Sequence, residues 1–570
     1  MTTHINPHPI EDEELGSGPT LLEKSDEASD TPKHKAVPFT HSWSLWCIFS
    51  VLCLFSFLTA VDGTILTTSL PTITHTIGGG NESLYIWYAQ CFLFANTAPQ
   101  PLVGQISNIF GRRQPFLVSI AMFALGSGIA GGANTPAMFI AGRTIQGVGS
   151  AGLFVLSDIL ICDLVPPRHR GPYLSAVLST AGIGSTIGPV IGGALVEHSW
   201  RWIFYLNIPI SVLGFLIVFC LLKVNHNRPP SWTHAMLHVD YLGALIFIPS
   251  TTSLFYALIT GGNQHPWSSW RVILPLILGI VGWALYHIQQ ATPSICRSPS
   301  TPSHLFTNRT SATGYALIFL TSIVLYIVSY FLPFYFQALK LVSPLLSGVY
   351  YLPFALAIIP FAGLSGWVLS KWGKYVPLHY AGTALIAVGV GLFATLDADS
   401  SRGAWIGFQI LPAAGIAMLF TATMPSVLAA LHERDVAVAT ATYSFIRSFG
   451  MVWGITIAGI MFNGQVNTNL GLVHDVGLRD KLGNGAAYAF AAREGGLKEL
   501  RDPSSVAQVM HVYTRALRSL WLMAMAVALL ALVCVPIERS LKLGKEHTTD
   551  FGMIDGKEGK KENKGDDVKG

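Results

Sequence analysis

The chain has 570 residues, of which 51% are hydrophobic and only 12% charged, and its mean hydropathy is +0.49. Soluble chains carry about 25% charged residues, so a water-soluble globular protein is excluded. The formal net charge of +4 sits mostly in polar tails and gives no nucleic-acid signature.

Residues 1-42 are polar, carry the acidic run Glu11 to Leu15 and hold no cleavable signal peptide. They are expected to form a disordered cytoplasmic tail. Apolar blocks follow, each near the length of about twenty residues that crosses about 30 Å of hydrocarbon as helix. Fourteen spans are predicted, centred near Leu54, Phe94, Phe123, Val155, Ile183, Leu213, Ile248, Ile280, Ser322, Ala357, Ala387, Ile416, Trp453 and Val527. Residues 43-225 are read as an N-terminal six-helix bundle and 236-292 as two inserted transmembrane helices. Residues 309-538 are read as a C-terminal six-helix bundle with a long external loop, 463-514. The loop contains "AAYAFAAREGGLKELRD", an amphipathic stretch expected to form a surface helix. Residues 539-570 are lysine- and glycine-rich and read as a second disordered tail.

An even number of spans puts both tails on one side. With the first loop external, internal loops carry Arg112, Arg113, Arg168, Arg170, Lys223, Arg228, Arg297, Arg309, Lys371, Lys374 and Arg434. The short external loops carry Arg201, Arg271, Lys340 and Arg402. The positive-inside rule then places both termini in the cytoplasm. Asn81, in Asn81-Glu82-Ser83, is a glycosylation candidate on the predicted outside. The seven cysteines lie mostly in apolar blocks without paired spacing and read as packed thiols, with no metal site among them.

The chain repeats itself. "GQISNIFGRRQP" begins at Gly104 and "GWVLSKWGKYVP" at Gly366; each has a second glycine seven steps on, then a base and a closing proline. Such an echo suits a transporter whose substrate site lies between two related halves. "GIGSTIGPVIGG" runs from Gly182 to Gly193 inside an apolar block. Glycine and proline there cost about 1 and 3 kcal/mol against alanine. Gly184, Gly188 and Gly192 share one helix face, and Pro189 bends the helix. A bare, bent face suits close packing, and a moving seam between the two bundles is the expectation.

These stretches resemble a known family. "GIGSTIGPVIGG", ending in Gly192 and Gly193, looks like the antiporter motif of major facilitator superfamily exporters. "GQISNIFGRRQP" resembles their loop motif between spans two and three, "FIAGRTIQGVGSAG" their fourth-span motif, and "VDGTILTTSLP" the first-span motif of the fourteen-span drug/proton antiporter branch. "SWRWIFYLNIP" and "LPFYFQALKLVSPLLSGVYYLP" resemble fungal members. The resemblance covers about residues 43 to 540. It implies an all-α integral membrane protein of major facilitator fold, with no cofactor and no catalysis. It implies monomers in the plasma membrane, with a vacuolar or vesicular membrane as the alternative.

Ionisable residues inside spans are expensive and mark function. Asp62 in the first span and Arg143 in the fourth are the leading proton-coupling candidates, as the resemblance implies. Arg447 in the thirteenth span is a third, with a packing role preferred. Gly104, Asn108, Gly111, Arg112, Arg113 and Asp163 make a cytoplasmic latch, to which Asp158 is a possible contributor. Asn108 stands where the family motif has an aspartate, so Asp163 is expected to carry more of that role. Aromatics crowd the second span (Trp87, Tyr88, Phe92, Phe94) and the ninth (Tyr326, Tyr330, Phe334, Tyr335, Phe336). Gln90, Gln146, Tyr335 and Gln337 are candidates to line a substrate cavity.

The expected function is proton-driven export of hydrophobic small molecules by alternating access; no Walker A pattern offers ATP as the power source. Partners would be such a substrate, protons and the lipid bilayer. An importer of the same fold, such as a siderophore–proton symporter, is the first alternative. A non-transporting membrane sensor is the second.

Overall fold

The computed structural model describes residues 42–78, 82–167, 169–196, 198–223, 231–262, 265–483, 487–492, 497, 500, 502–541 and 543. Asn81 lies outside them. The described residues form helices and no strand beyond one isolated bridge, Gly261 to His265. The N-terminal half comprises α1 (Trp43–Thr64), α2 (Leu66–Gly78), α3 (Glu82–Thr97), α4 (Gln100–Phe110), α5 (Arg113–Gly131), α6 (Pro136–Leu164), α7 (Arg170–Val196), α8 (Trp202–Tyr205) and α9 (Asn207–Leu221). Then come the short α10 (Trp232–Leu237) and a hairpin, α11 (Tyr241–Thr260) and α12 (Trp270–Ala291). The C-terminal half comprises α13 (Arg309–Ala338), α14 (Pro344–Trp372), α15 (Val376–Phe393), α16 (Arg402–Leu428), α17 (Val436–Asn469), α18 (Val476–Leu482), α19 (Ala487–Ala492) and α20 (Pro503–Cys534).

Among the described residues, twelve helical stretches are long and apolar enough to cross a membrane. The other two expected passes are helical as well. The second is split into α3 and α4, because Pro99 lacks an amide proton at the junction. The fifth is α7, whose 27 residues reach about 40 Å. Fourteen passes are compatible with these lengths.

Local chemistry sets the helix starts. Thr135, Ser343 and Asp502 each precede a proline at the first helical position, and each side chain accepts a backbone N–H from the first turn. Proline is preset for that position, and the oxygen satisfies an orphan donor. Asp240 and Asn308 cap α11 and α13 in the same way.

Within the N-terminal half, α1 packs on α7, and α6 on α3 and α5; within the C-terminal half, α16 packs on α14 and α15, and α13 on α17. The halves meet through two like pairs, α4 against α17 and α7 against α14. Small residues make both contacts. A Cβ at Gly104 would strike Ala441 Cβ and lie 3.1 Å from the Ala437 carbonyl; one at Gly366 would lie 2.8 Å from Pro172 N. The repeat read from the sequence is thus a repeat in space. Its second glycines also correspond: Gly111 and Gly373 both have positive φ, 79° and 64°, a region that L side chains rarely adopt. Both glycines end a helix before a tight turn. We call this end of the molecule the glycine-turn end.

Two expectations change here. The Gly184 and Gly188 face does not form the seam between halves. A Cβ on Gly184 would lie 2.5 Å from the Phe57 carbonyl, and one on Gly188 3.1 Å from that of Val61. Both neighbours belong to α1, so this glycine face joins two helices of one half. The part of α7 that meets the other half is its start, where Gly171 approaches Gly366 and Ser175 Oγ lies 2.7 Å from Thr421 Oγ1. Gly192 and Pro189 lie on α7, Gly192 buried; Gly193 has open space where its Cβ would be.

The second change concerns the long loop. Ala487, Ala491 and Leu497 are buried in the main core, and Tyr513 Oη donates to the Ala487 carbonyl at 2.8 Å. The described part of the stretch, α19, is folded onto α13 and α20; Ala486 and most of the segment after Ala492 lie outside the described residues. Its apolar face found protein instead of the membrane interface.

Candidate functional site

Four helices bring one polar group together inside the N-terminal half. Asp62 on α1 is 1% exposed, and Arg143 on α6 is likewise 1% exposed. Arg143 Nη1 stands 3.7 Å from Asp62 Oδ1, and its Nη2 donates to the Asp62 carbonyl at 3.3 Å. Gln146 Nε2 and Asn207 Nδ2 each donate to Asp62 Oδ2 at 2.8 Å. Gln146 Oε1 accepts from Arg143 Nη1 at 2.7 Å, and Ser127 Oγ accepts from Gln146 at 2.8 Å.

The spacing explains the assembly. Arg143 and Gln146, three residues apart, lie on one face of α6. The glycines next to them admit α5 and α3 closely: a Cβ at Gly142 would lie 2.5 Å from Ala130 N, and one at Gly147 2.7 Å from the Phe92 carbonyl. Two aromatic rings, Phe92 at 4.2 Å and Phe204 at 5.6 Å from the guanidinium, cover Arg143. A cation over ring faces gains attraction that strengthens when water is excluded. The result is a carboxylate held by one cation and two amides in an apolar wall. Such a group can exchange a proton for hydrogen bonds without losing its place.

Asp62, Arg143 and Gln146 were all singled out from the sequence, and the structure unites them. Gln146 is a partner of Asp62 and is fully buried, which removes it from the expected cavity lining. Asn207 was missed. A neutral amide carries no cost that would make it conspicuous, and its signal was only its place in "YLNIP" at the start of a span.

A second charged pair crosses between halves. Arg447 Nη2 on α17 donates to Asp158 Oδ2 on α6 at 2.8 Å, and Ser444 Oγ donates to the same oxygen at 3.0 Å. Phe154 lies under the guanidinium at 4.2 Å. Asp158 is therefore a partner of Arg447, not of the loop arginines. A third pair lies within the N-terminal half at the glycine-turn end: Arg112 Nε meets Asp163 Oδ2 at 2.7 Å. Arg112 Nη1 also donates to the Ser107 carbonyl at 2.8 Å and to Asn108 Oδ1 at 2.9 Å. Asn108 thus takes part through its amide oxygen, while Asp163 supplies the charge. Arg113 lies apart from this cluster and donates to the Phe219 carbonyl at 2.5 Å.

Removing one partner of a buried pair leaves the other charge uncompensated, at about 3–5 kcal/mol. Arg112→Gln is accordingly expected to lower the melting temperature of the detergent-purified protein by several degrees. Arg113→Gln should leave it within a degree or two, because its partner is an exposed carbonyl. Equal melting temperatures for the two variants would show that the Arg112 pair adds nothing to stability.

The remaining cavity candidates separate. Tyr335 is 1% exposed and donates to the Asp397 carbonyl at 2.8 Å, so it fastens α13 to the loop before α16 and lines no cavity. Gln337 Nε2 donates to Ser347 Oγ at 2.9 Å, tying α13 to α14. Gln90 is half-buried on α3.

Paired helical halves, small-residue seams and charges buried at mid-helix define a multi-pass membrane protein built like a secondary transporter. Comparison with known proteins gives the family. Residues 52–455 match the model of the Major Facilitator Superfamily, and the chain belongs to that family. It is 43% identical over 530 residues to the MFS efflux transporter aclA of Aspergillus oryzae, covering 93% of this chain and 95% of that one. It is 40% identical over 511 residues to efflux pump FUS6 of Gibberella fujikuroi, covering 89% and 91%. Among solved structures, the human organic anion transporter MFSD10 superposes with a TM-score of 0.56 at 16% identity, covering 87% of this chain and all of that one. That likeness is one of fold.

Proposed function

We propose that this chain exports small hydrophobic molecules, driven by protons moving inward, with the two halves rocking about a central site. Relatives named as efflux transporters, similar over nearly the whole chain, support the direction. The observation that carries the mechanism is the Asp62–Arg143–Gln146–Asn207 group. Asp62 is the coupling carboxylate in this reading. Arg143 holds it charged until a proton arrives, and the two amides keep it in place afterwards. Protonation cancels the attraction between Asp62 Oδ1 and the guanidinium, 3.7 Å away, while the bonds of Arg143 to Gln146 Oε1 and the Asp62 carbonyl can persist. That loss of one ion pair is what the rocking motion would read.

In the same proposal the glycine-turn end faces the cytoplasm, as do both termini, and the protein sits in the plasma membrane as a monomer. The Arg447–Asp158 pair, which joins the halves, then latches the inner face shut, the Arg112–Asp163 pair braces the N-terminal half beside it, and the structure is read as the outward-facing stage.

The test is accumulation of hydrophobic dyes and toxins in cells with and without the chain, each with and without a protonophore. Expressing cells should accumulate less, and the difference should vanish with the protonophore. Greater accumulation in expressing cells would replace export by import. A difference indifferent to the protonophore would remove the proton from the mechanism.

A further inference from the structure

The loop between α17 and α20 reaches into the C-terminal half, where Ala487 and Ala491 are buried in its core. There it delivers Tyr488. The ring stacks on Phe334 of α13 with centroids 4.8 Å apart and planes 14° apart. Tyr330 is an electrostatic neighbour of both Tyr488 and Tyr326, and Tyr351 of α14 is a neighbour of Tyr326. Tyr326 and Tyr330 are one turn apart, with ring centroids 5.8 Å apart. Three elements therefore converge phenols on one spot in the half of the bundle away from the glycine-turn end.

The spot is open. Helix α13 packs on α14, α16, α17 and α20, which leave part of its surface uncovered. Tyr330 is 40% exposed. Among the described residues, the hydroxyls of Tyr326, Tyr330 and Tyr488 have no hydrogen-bond partner, whereas Tyr351 shares one with Ser329 at 3.0 Å. The site is also uncharged: α13 carries no ionisable acid or base after Arg309, and α14 none before Lys371.

We infer that Tyr326, Tyr330, Tyr351 and the loop residue Tyr488 form a binding site for neutral, planar aromatic molecules bearing hydroxyl or carbonyl oxygens. The rings offer faces for stacking. The free hydroxyls donate to oxygen acceptors, and the absence of charge leaves ionic ligands without a partner. Tyr488 closes the site from the outer side and is a specificity-determining residue. This rests on the export reading above for its place in a transport cycle, but not for binding itself.

Two experiments separate those layers. In the first, 1,8-dihydroxyanthraquinone and the non-aromatic alcohol farnesol are transported by vesicles under an imposed pH gradient. Tyr488→Ala should raise KM for the anthraquinone about tenfold, the scale of one stacking contact and one hydrogen bond. The farnesol KM should stay within about twofold. Tyr488→Phe, which keeps the ring, should fall between. Equal changes for both probes, or none for either, overturn the assignment. In the second, Ser329→Cys is labelled with a maleimide without any gradient, and labelling is compared with that of the unsubstituted chain. The anthraquinone should slow the added labelling and farnesol should not. Protection without export of either probe keeps the site and sinks the export reading. Unprotected labelling sinks the site even where export persists.

Discussion

Cells expressing the Asp62→Asn chain are expected to accumulate as much dye as cells lacking it, even when compared at equal abundance in the membrane. Asparagine matches aspartate in size, so the cavity between α1 and α6 stays filled. Its amide neither gains nor loses a proton, so the group no longer reports the gradient. The hydrogen bonds also change sense. Asp62 Oδ2 accepts from both Gln146 and Asn207, and an asparagine that turns its oxygen there points its NH₂ toward Arg143. The guanidinium then stands buried without an anion, at about 3–5 kcal/mol. That cost falls on stability and abundance, whereas export per molecule is lost because nothing at this position takes up a proton. The double variant Asp62→Asn with Arg143→Gln removes the orphaned charge and should recover stability without recovering export. Protein abundance by blotting and export by dye efflux check the two halves of this claim. Normal export by Asp62→Asn would falsify the coupling role.

Gly104→Val and Gly184→Val should fail for different reasons. Both glycines face a neighbouring helix at a distance that leaves no room for a side chain. At Gly104 the neighbours are Ala437 and Ala441 of α17, in the other half. Rocking the halves apart relieves that clash, so the variant should insert, fold and stay open at the glycine-turn end. A cysteine placed at Ala441 should become reactive from that side, and export should be lost at least tenfold. At Gly184 the neighbour is the Phe57 carbonyl of α1, in the same half. No rocking relieves a clash with a backbone oxygen inside one bundle. Overpacking of this kind costs about 1–3 kcal/mol, and folded yield should drop before transport is reached. If Gly104→Val is lost from the membrane while Gly184→Val accumulates normally, the assignment of the two seams is reversed.

Much of this was legible in the sequence because the bilayer imposes coarse rules. Length and hydropathy located the helices, and paired glycines located the repeat. Both glycines of each repeated motif turned out to have work in space, one at a seam and one in a left-handed turn. Asp62 and Arg143 stood out because charge inside a span is costly. What the sequence could not tell was which charges meet. Asp158 and Arg447 are 289 residues apart, and nothing local connects them. Each was conspicuous alone, and neutralising buried charges in pairs would have been a fair route to the match. Asn207 had no such signal. Nor did the loop: an amphipathic stretch looks the same whether its apolar side rests on lipid or on another helix. The glycine face of α7 was read correctly as a close-packing surface and assigned to the wrong neighbour, because periodicity identifies a face but not what covers it.

The hairpin α11–α12 meets both halves through rings, Phe94 of α3 lying 5.7 Å from Phe255, but among the described residues it is hydrogen-bonded only to the N-terminal half. On one side the Asp240 amide donates to Gln105 Oε1 of α4 at 3.0 Å, and its carboxylate gathers donors from Gly243, Gln289 and Gln290. On the other side Phe247, Trp283 and Tyr286 lie against Phe445 and Phe449 of α17, with Phe247 and Phe445 centroids 5.0 Å apart. Buried hydrogen bonds are directional and break all at once, whereas ring contacts tolerate sliding. A hairpin fastened on one side and greased on the other behaves as a bearing. In the proposed cycle it would travel with α4, and the rings of α17 would slide against it.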